Sequence, residues 1–157
     1  MPVQRLKEFL DKEGVRYVSI AHSTAFTAQE IAALTHIPGR EMAKTVILKL
    51  DDRMAMAVLP ASRHVDLGAV KAAAGAKHAV LATEAEFREK FPDCETGAMP
   101  PFGNLYGMPV FVEEALTRDQ EIAFNAGSHN EIIRLAYADF ARLVKPTISS
   151  FALERAA

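Results

Sequence analysis

The sequence predicts a single α+β domain built around a mixed, mostly antiparallel β-sheet. Three observations favour this class. A chain of 157 residues has the length of one domain and can bury about 68–70% of its unfolded surface. Strand-like and helix-like segments follow one another without the regular βαβ order of a parallel sheet. Two apolar strands are also joined by a short polar turn, which is typical of a hairpin.

The first elements are predicted from periodicity and cap residues. Apolar residues at helical spacing over 3–13 predict a helix that ends at Gly14. A run of β-branched and aromatic residues predicts a strand over Val15–Ala21. The capping-box pattern Thr-Ala-Gln-Glu predicts a second helix from Thr27 to about Thr35.

The middle of the chain contains the clearest hairpin. Ala43–Leu50 and Met54–Leu59 are apolar strand candidates, and residues 51–53 form the polar turn between them. Asp66 and Gly75 are cap residues that predict a helix between them. The remaining predicted elements are a strand over Lys77–Leu81, a capped helix from Thr83 to about Phe91, a long loop over Thr96–Gly107, short strands over Val110–Val112, Ile122–Asn125 and Glu131–Leu135, and a helix over Ala138–Val144. Residues 147–157 are predicted to be a loose tail.

Composition and charge exclude several classes of protein. Hydrophobic residues make up 50% and charged residues 24%, as in an average globular protein and unlike a disordered chain. No apolar run approaches the ~20 residues of a membrane helix, so no membrane association is expected. The charged N-terminus is unlike a signal peptide, and the single Cys94 forms no internal disulfide, so a cytoplasmic location is expected.

The net charge of −2 gives no sign of a nucleic-acid-binding surface, and no double-stranded DNA partner is expected. The charge is unevenly distributed, because residues 84–121 carry nine acidic and three basic side chains. This asymmetry is either ordinary surface variation or an acidic segment held away from a basic face.

Lys44 is the first candidate functional residue. It stands at the start of an apolar strand, on the same face as Val46 and Leu48. Its ammonium either reaches solvent at the strand end or points into a pocket. A phosphate-binding loop is excluded here, because the spacing from Gly39 is one residue short and a strand follows instead of a helix.

Two polar or glycine-rich segments are further candidates. The loop Gly-Ala-Met-Pro-Pro-Phe-Gly at 97–103 is either a rigid connection or a surface that presents backbone N–H groups to a carbonyl or oxyanion. In residues 125–131, Ser128 and His129 are adjacent, so their side chains point to opposite faces and a Ser–His dyad is disfavoured. His129 either lines a pocket or is a structural histidine. The histidines show no metal-ligand spacing, so no metal and no cofactor are expected.

These three segments, in this order, resemble the YbaK/prolyl-tRNA-synthetase-associated (INS-like/ProX) family of aminoacyl-tRNA editing domains. Residues 43–46 resemble the family's lysine strand, 97–103 its Gly-x-x-x-Pro loop, and 126–131 its C-terminal site strand. The resemblance extends from the His22 segment to the last helix. It implies a curved mixed sheet flanked by helices, with residues 1–157 forming one deacylase domain.

The resemblance also implies hydrolysis of the ester that joins a mischarged small amino acid to the 3′ end of tRNA, most often tRNA for proline. Lys44 is then the catalytic lysine, and the partners are the acceptor end of aminoacyl-tRNA and prolyl-tRNA synthetase. The substrate-binding residues that it implies are His22, Phe26, Thr27, Thr45, Gly97, Ala98, Met99, Pro100, Pro101, Gly127, Ser128 and His129.

Lys44-Thr45 resembles the cysteine-type deacylases and His129-Asn130-Glu131 the alanine-type, so alanine and cysteine both stay open. The alternative is a non-catalytic module of the same fold that binds aminoacyl-tRNA or a synthetase.

Overall fold

The computed structural model describes residues 4–153 and confirms the α+β class. Its α-helices are α1 (Gln4–Lys12), α2 (Ala28–Thr35), α3 (Leu67–Ala74), α4 (Glu84–Phe87) and α5 (Tyr137–Val144). Its strands are β1 (Tyr17–Ala21), β2 (Ala43–Leu50), β3 (Arg53–Pro60), β4 (His64–Val65), β5 (Ala79–Leu81), β6 (Val110–Glu113), β7 (Glu121–Ser128), β8 (Glu131–Ala136), β9 (Thr147–Ser149) and β10 (Ala152–Leu153). Short 3₁₀ helices cover Arg88–Lys90, Gly103–Leu105 and Glu114–Arg118. Val3, at the start of the first predicted helix, lies outside the described residues.

The strands form mixed, mostly antiparallel sheets. The five-stranded sheet has the order β5-β2-β3-β6-β9, in which β2 runs antiparallel to β3 and β5, while β6 runs parallel to β3 and β9. An antiparallel three-stranded sheet has the order β1-β8-β7, and β4 pairs with β10. No helix among residues 4–153 is long and apolar enough to cross a membrane.

The β2–β3 hairpin is confirmed. Asp51 and Asp52 form its two-residue turn with φ angles of 48° and 72°. Positive φ at both central residues matches the right-handed twist of paired strands, and aspartate tolerates it better than most residues. The same Asp51 carboxylate accepts hydrogen bonds from the backbone N–H groups of Lys77 and His78 at 3.0 and 2.8 Å. This contact explains why β5 begins at Ala79 rather than at the predicted Lys77.

The core lies between the two larger sheets, and buried side chains of the long loop form part of it. Phe102 of that loop is fully buried, and its ring packs edge-on to Phe140 of α5 and tilted against Phe124 of β7. Burying a phenylalanine stabilises the fold by about 1.5–3 kcal/mol. The loop is therefore anchored from inside, and its Gly97 end is held at a fixed place on the surface.

The predicted loose tail is wrong for the described residues. Residues 147–149 add β9 to the edge of the five-stranded sheet, and residues 152–153 pair with β4. Phe151 between them is 2% exposed. The buried carboxylate of Glu113 accepts hydrogen bonds from the backbone N–H groups of Phe151 and Ala152 at 2.9 and 3.0 Å. The segment is ordered by a buried side chain and a distant carboxylate, neither of which a local pattern reveals.

Candidate active site

A pocket of about 400 Å³ opens where the start of α2, the start of β2, the β3–β4 connection, the long loop and β7 meet. Its lining residues are Phe26, Thr27, Gln29, Lys44, Thr45, Ala61, His64, Gly97 and Asn125. None of these residues carries a carboxylate. The three segments that the sequence singled out therefore converge on one cavity, whose polar lining includes a lysine ammonium.

Lys44 is the second residue of β2 and is half-buried in the pocket wall. Burial lowers the pKa of its ammonium, because removing the charge from water disfavours the protonated form. No described carboxylate offsets this effect. A positively charged group held in this way without an anionic neighbour is suited to an anionic or strongly polar ligand.

The Gly97 loop is fastened to the end of β7 by backbone hydrogen bonds. The N–H of Glu95 donates to the carbonyl of Gly127 at 2.7 Å, and the N–H of Gly127 donates to the carbonyl of Ala98 at 2.9 Å. The pairing of β7 with β8 shifts register between Asn125 and Ser128. Gly127 lies in this irregularity with a φ of +98°, a conformation that favours glycine.

Within the loop, the backbone N–H of Gly97 has only a weak acceptor. That group points to the sulfur of Met99 at 3.3 Å, and a thioether is a weak acceptor. The N–H of Ala98, by contrast, donates to the carbonyl of Glu95 at 3.0 Å, while Pro100 and Pro101 have no N–H. The N–H of Gly97 can therefore turn to a ligand oxygen at small cost.

His129 stands behind the pocket wall and is 7% exposed. Its backbone N–H donates to the Glu95 carboxylate at 2.9 Å, and its Nε2 lies 2.8 Å from the carbonyl oxygen of Thr96. A Cβ atom on Gly97 would lie 3.6 Å from Cε1 of His129. The imidazole therefore supports Gly97 from behind and limits how far the loop can move.

Neither Ser128 nor Cys94 is an activated covalent nucleophile. Ser128 is buried and its hydroxyl donates to the side-chain oxygen of Asn130 at 2.8 Å. Cys94 lies outside the pocket lining, and burial raises the pKa of its thiol to about 11, which keeps it protonated at neutral pH. The disfavoured Ser–His dyad is consistent with this geometry.

The predicted site residues divide into two groups. Phe26, Thr27, Lys44, Thr45 and Gly97 line the pocket. The other predicted residues are not among the lining residues and form the support of the pocket. Those that are buried are Ala98, Met99, Pro100, Pro101, Gly127, Ser128 and His129. The remaining one, His22, donates its backbone N–H to the carbonyl of Asn130 at 2.9 Å.

Gln29, Ala61, His64 and Asn125 also line the pocket and were not predicted. Asn125 is the most informative of them, because its Oδ1 atom is buried without a hydrogen-bond partner among residues 4–153. The signal in the sequence was its position at the end of a predicted strand, beside the polar run that contains His129. His64 gave no usable signal. Within residues 4–153 no group of His, Cys, Asp or Glu side chains could hold a metal ion.

The acidic segment lies partly away from this pocket. Glu86 pairs with Lys49 at 2.5 Å and Glu84 with Arg88 at 3.9 Å. Glu95 is different, because its carboxylate binds the backbone of His129. One acidic residue of the segment is thus part of the scaffold of the site, although it does not line the pocket.

The fold is that of an editing domain, as the comparisons with known proteins show. The sequence model of the aminoacyl-tRNA editing domain matches residues 22–143, and the chain belongs to that family. The protein is an aminoacyl-tRNA hydrolase, an editing deacylase that acts on aminoacyl-tRNA. The alternative of a non-catalytic module is therefore set aside.

Individual relatives agree with this assignment. The multifunctional Ser/Thr-tRNA deacylase ProXp-y of Escherichia coli K12 is 29% identical over 157 residues, which covers 94% of this chain and 91% of that protein. The hypothetical protein APE2540 has a TM-score of 0.86 at 18% identity, over 96% of this chain and 100% of that chain. A candidate trans-editing enzyme for prolyl-tRNA synthetase has a TM-score of 0.82 at 20% identity, over 96% of both chains. The two structures share the fold.

Proposed function

We propose that this protein hydrolyses the ester of a small hydroxy amino acid, serine or threonine, on mischarged tRNA. The observation that carries the choice of amino acid is the unpartnered Oδ1 of Asn125 in the pocket wall. An unpaired buried polar atom costs about 1–3 kcal/mol. A substrate hydroxyl both donates and accepts, so it satisfies the carboxamide in either orientation. The likeness to the Ser/Thr-tRNA deacylase supports the same choice.

In the proposed reaction, water attacks the ester carbonyl and creates a tetrahedral oxyanion. Lys44 binds the ester or the terminal phosphate, and the N–H of Gly97 exchanges its weak contact with Met99 for the oxyanion. One such donor is worth roughly 10²–10³ in kcat in a well-studied protease. The ester is already reactive, so no covalent nucleophile is required. As the family resemblance implies, the free ribose hydroxyl of the substrate relays a proton from the attacking water to the ester oxygen of the ribose. The bond between that oxygen and the carbonyl carbon breaks, which releases the free amino acid and a tRNA with both terminal hydroxyls.

Alanine and cysteine are the competing substrates. Both are small enough for a pocket that His129 and Gly97 confine, but neither carries a hydroxyl for Asn125. The tRNA for proline and prolyl-tRNA synthetase are the proposed tRNA and partner, on the basis of the sequence resemblance. The proposed domain covers residues 1–157, and the proposed location is the cytoplasm.

The experiment is a panel of one tRNA charged with serine, threonine, alanine, cysteine or proline, tested with wild type and Asn125→Ala. We expect wild type to hydrolyse the seryl ester at least about tenfold faster than the alanyl ester, and Asn125→Ala to lose that preference. Asn104→Ala is the matched control, because Asn104 is exposed and does not line the pocket. Equal hydrolysis of seryl and alanyl esters by wild type would contradict the proposal.

A further inference from the structure

Phe26 is an aromatic side chain that the proposed reaction does not use. It directly precedes Thr27, the N-cap of α2, and it lines the pocket although it is 71% exposed. Single exposed apolar side chains are common on protein surfaces and need no explanation. Phe26 differs from those because it borders the candidate active site and because its position is fixed.

One side of the Phe26 ring rests against His129, with 4.9 Å between the ring centroids and 52° between the planes. His129 is itself held by hydrogen bonds to Glu95 and Thr96. The backbone beside Phe26 is fixed on both sides, because the N–H of Ala25 donates to the carbonyl of His129 at 3.1 Å and the Thr27 hydroxyl caps α2. The ring is therefore a preorganised aromatic surface with its remaining area open at the pocket mouth.

The chemistry of the substrate determines what reaches this surface. The aminoacyl ester is attached to the 2′ or 3′ oxygen of the terminal ribose of tRNA, and the terminal adenine is attached to C1′ of that same sugar. When the ester carbonyl is near Lys44, only the terminal ribose separates the base from the ester. The base must therefore lie at or near the pocket mouth. Every base has a π-face, and aromatic side chains stack on unpaired bases without base-specific hydrogen bonds.

We propose that Phe26 is the stacking platform for the terminal adenine of the aminoacyl-tRNA, an inference that rests on the proposed function and extends it to a subsite for the base. Stacking fixes the sugar, and through the sugar it fixes the ester in the pocket. It also provides affinity for the acceptor end without a strongly basic surface, in agreement with the net charge of −2. Loss of one base–aromatic stack lowers binding by roughly 5- to 140-fold.

The test compares two seryl-tRNAs with the same body, one ending in adenosine and one ending in an abasic ribose that keeps both hydroxyls and the ester. Single-turnover rates are measured against enzyme concentration for wild type, Phe26→Leu and Phe26→Trp. We expect the abasic end to raise the half-saturating concentration of wild type by at least about fivefold. Phe26→Leu, whose side chain is apolar but not planar, should bind the adenosine-ended and the abasic tRNA with the same, weaker affinity. Phe26→Trp should keep the preference for the adenosine end.

Leu34→Ala is the matched control, because Leu34 is an exposed apolar residue of α2, 48% exposed, that does not line the pocket. It should keep the wild-type preference for the adenosine end. Equal half-saturating concentrations of wild type for the two ends, or a preference that survives in Phe26→Leu, would overturn the stacking inference while leaving the deacylase intact. An altered rank order of amino acids in Phe26→Leu with the base preference unchanged would assign Phe26 to the aminoacyl group instead. Failure of wild type to hydrolyse either substrate would overturn the proposed function and this inference together.

Discussion

The Nε2 atom of His129 lies 2.8 Å from the carbonyl oxygen of Thr96. A carbonyl oxygen only accepts, so Nε2 carries the proton of this hydrogen bond. The other ring nitrogen, Nδ1, is buried and has no hydrogen-bond partner within residues 4–153. His129 therefore joins the end of β7 to the loop that contains Gly97.

Gly97→Ala should damage both stability and activity. Gly97 has a φ of +87°, where an L side chain costs about 1–2 kcal/mol, and the new methyl group would lie 3.6 Å from His129. We expect urea unfolding to show this loss, and deacylation to fall because the strained loop shifts its N–H. Gly107→Ala is the control, since Gly107 also has positive φ, +69°, but no neighbouring atom within 4 Å and no place in the pocket lining. Equal activity of the two variants would contradict the role of the Gly97 backbone.

Lys44→Ala should lower kcat/KM for deacylation by at least about 100-fold, because the oxyanion or phosphate loses its cation. Lys49→Ala is the matched control on the same strand, since Lys49 pairs with Glu86 and does not line the pocket. Circular dichroism and thermal melting establish that both variants are folded. A folded Lys44→Ala protein with wild-type activity would show that Lys44 is not the functional lysine.

The pH dependence of the reaction should depend on Lys44. Burial lowers the pKa of this ammonium, so its charge is lost, as the pH rises, at lower pH than for an exposed lysine. Enzymatic deacylation, after subtraction of spontaneous ester hydrolysis, should decline through that alkaline range. The guanidinium of Lys44→Arg does not titrate there, so the activity of this variant, whatever its level, should stay constant across that pH range. A decline of the same shape in both proteins would assign the titration to another group.

Glu113→Ala should release the C-terminal strands. The Glu113 carboxylate is 2% exposed and accepts hydrogen bonds from the N–H groups of Ala115, Phe151 and Ala152. Hydrogen bonds to a charged group contribute about 1.5–3 kcal/mol each, so we expect a loss of roughly 3 kcal/mol or more in urea unfolding. Glu114→Ala removes the adjacent carboxylate, which is 53% exposed and forms a surface ion pair with Arg118, and should cost less than about 1 kcal/mol. Similar losses in the two variants would refute the role of Glu113.

Local interactions made most of the secondary structure predictable. The side chains of Thr27, Asp66 and Thr83 each accept the N–H group three residues later, and each begins the helix that the sequence indicated. The Asp51–Asp52 turn likewise sets the register of β2 and β3 through contacts within a few residues. Such elements can be recognised because cause and effect are adjacent in the chain.

The elements that escaped prediction depend on distant partners. Strands β9 and β10 are held by Glu113, which precedes by 38 and 39 residues the two residues whose N–H groups it binds.

For the site, the segments of Lys44, Gly97 and His129 were identifiable from their residue types and from the family resemblance. The importance of Asn125 follows from the missing partner of a buried atom, which only the packed structure reveals, and His64 reaches the pocket because β4 pairs with β10.

The attachment of the Gly97 loop to β7 has a consequence for how such a domain diversifies. Two of the hydrogen bonds that connect them, from Glu95 to Gly127 and from Gly127 to Ala98, join backbone groups. Their strength therefore does not depend on which side chains surround the cavity. We therefore expect substitution at Asn125 or Gln29 to change which aminoacyl group is accepted while the loop stays in place. On the proposed function, new substrate preferences arise by single replacements in the pocket wall without loss of these two hydrogen bonds.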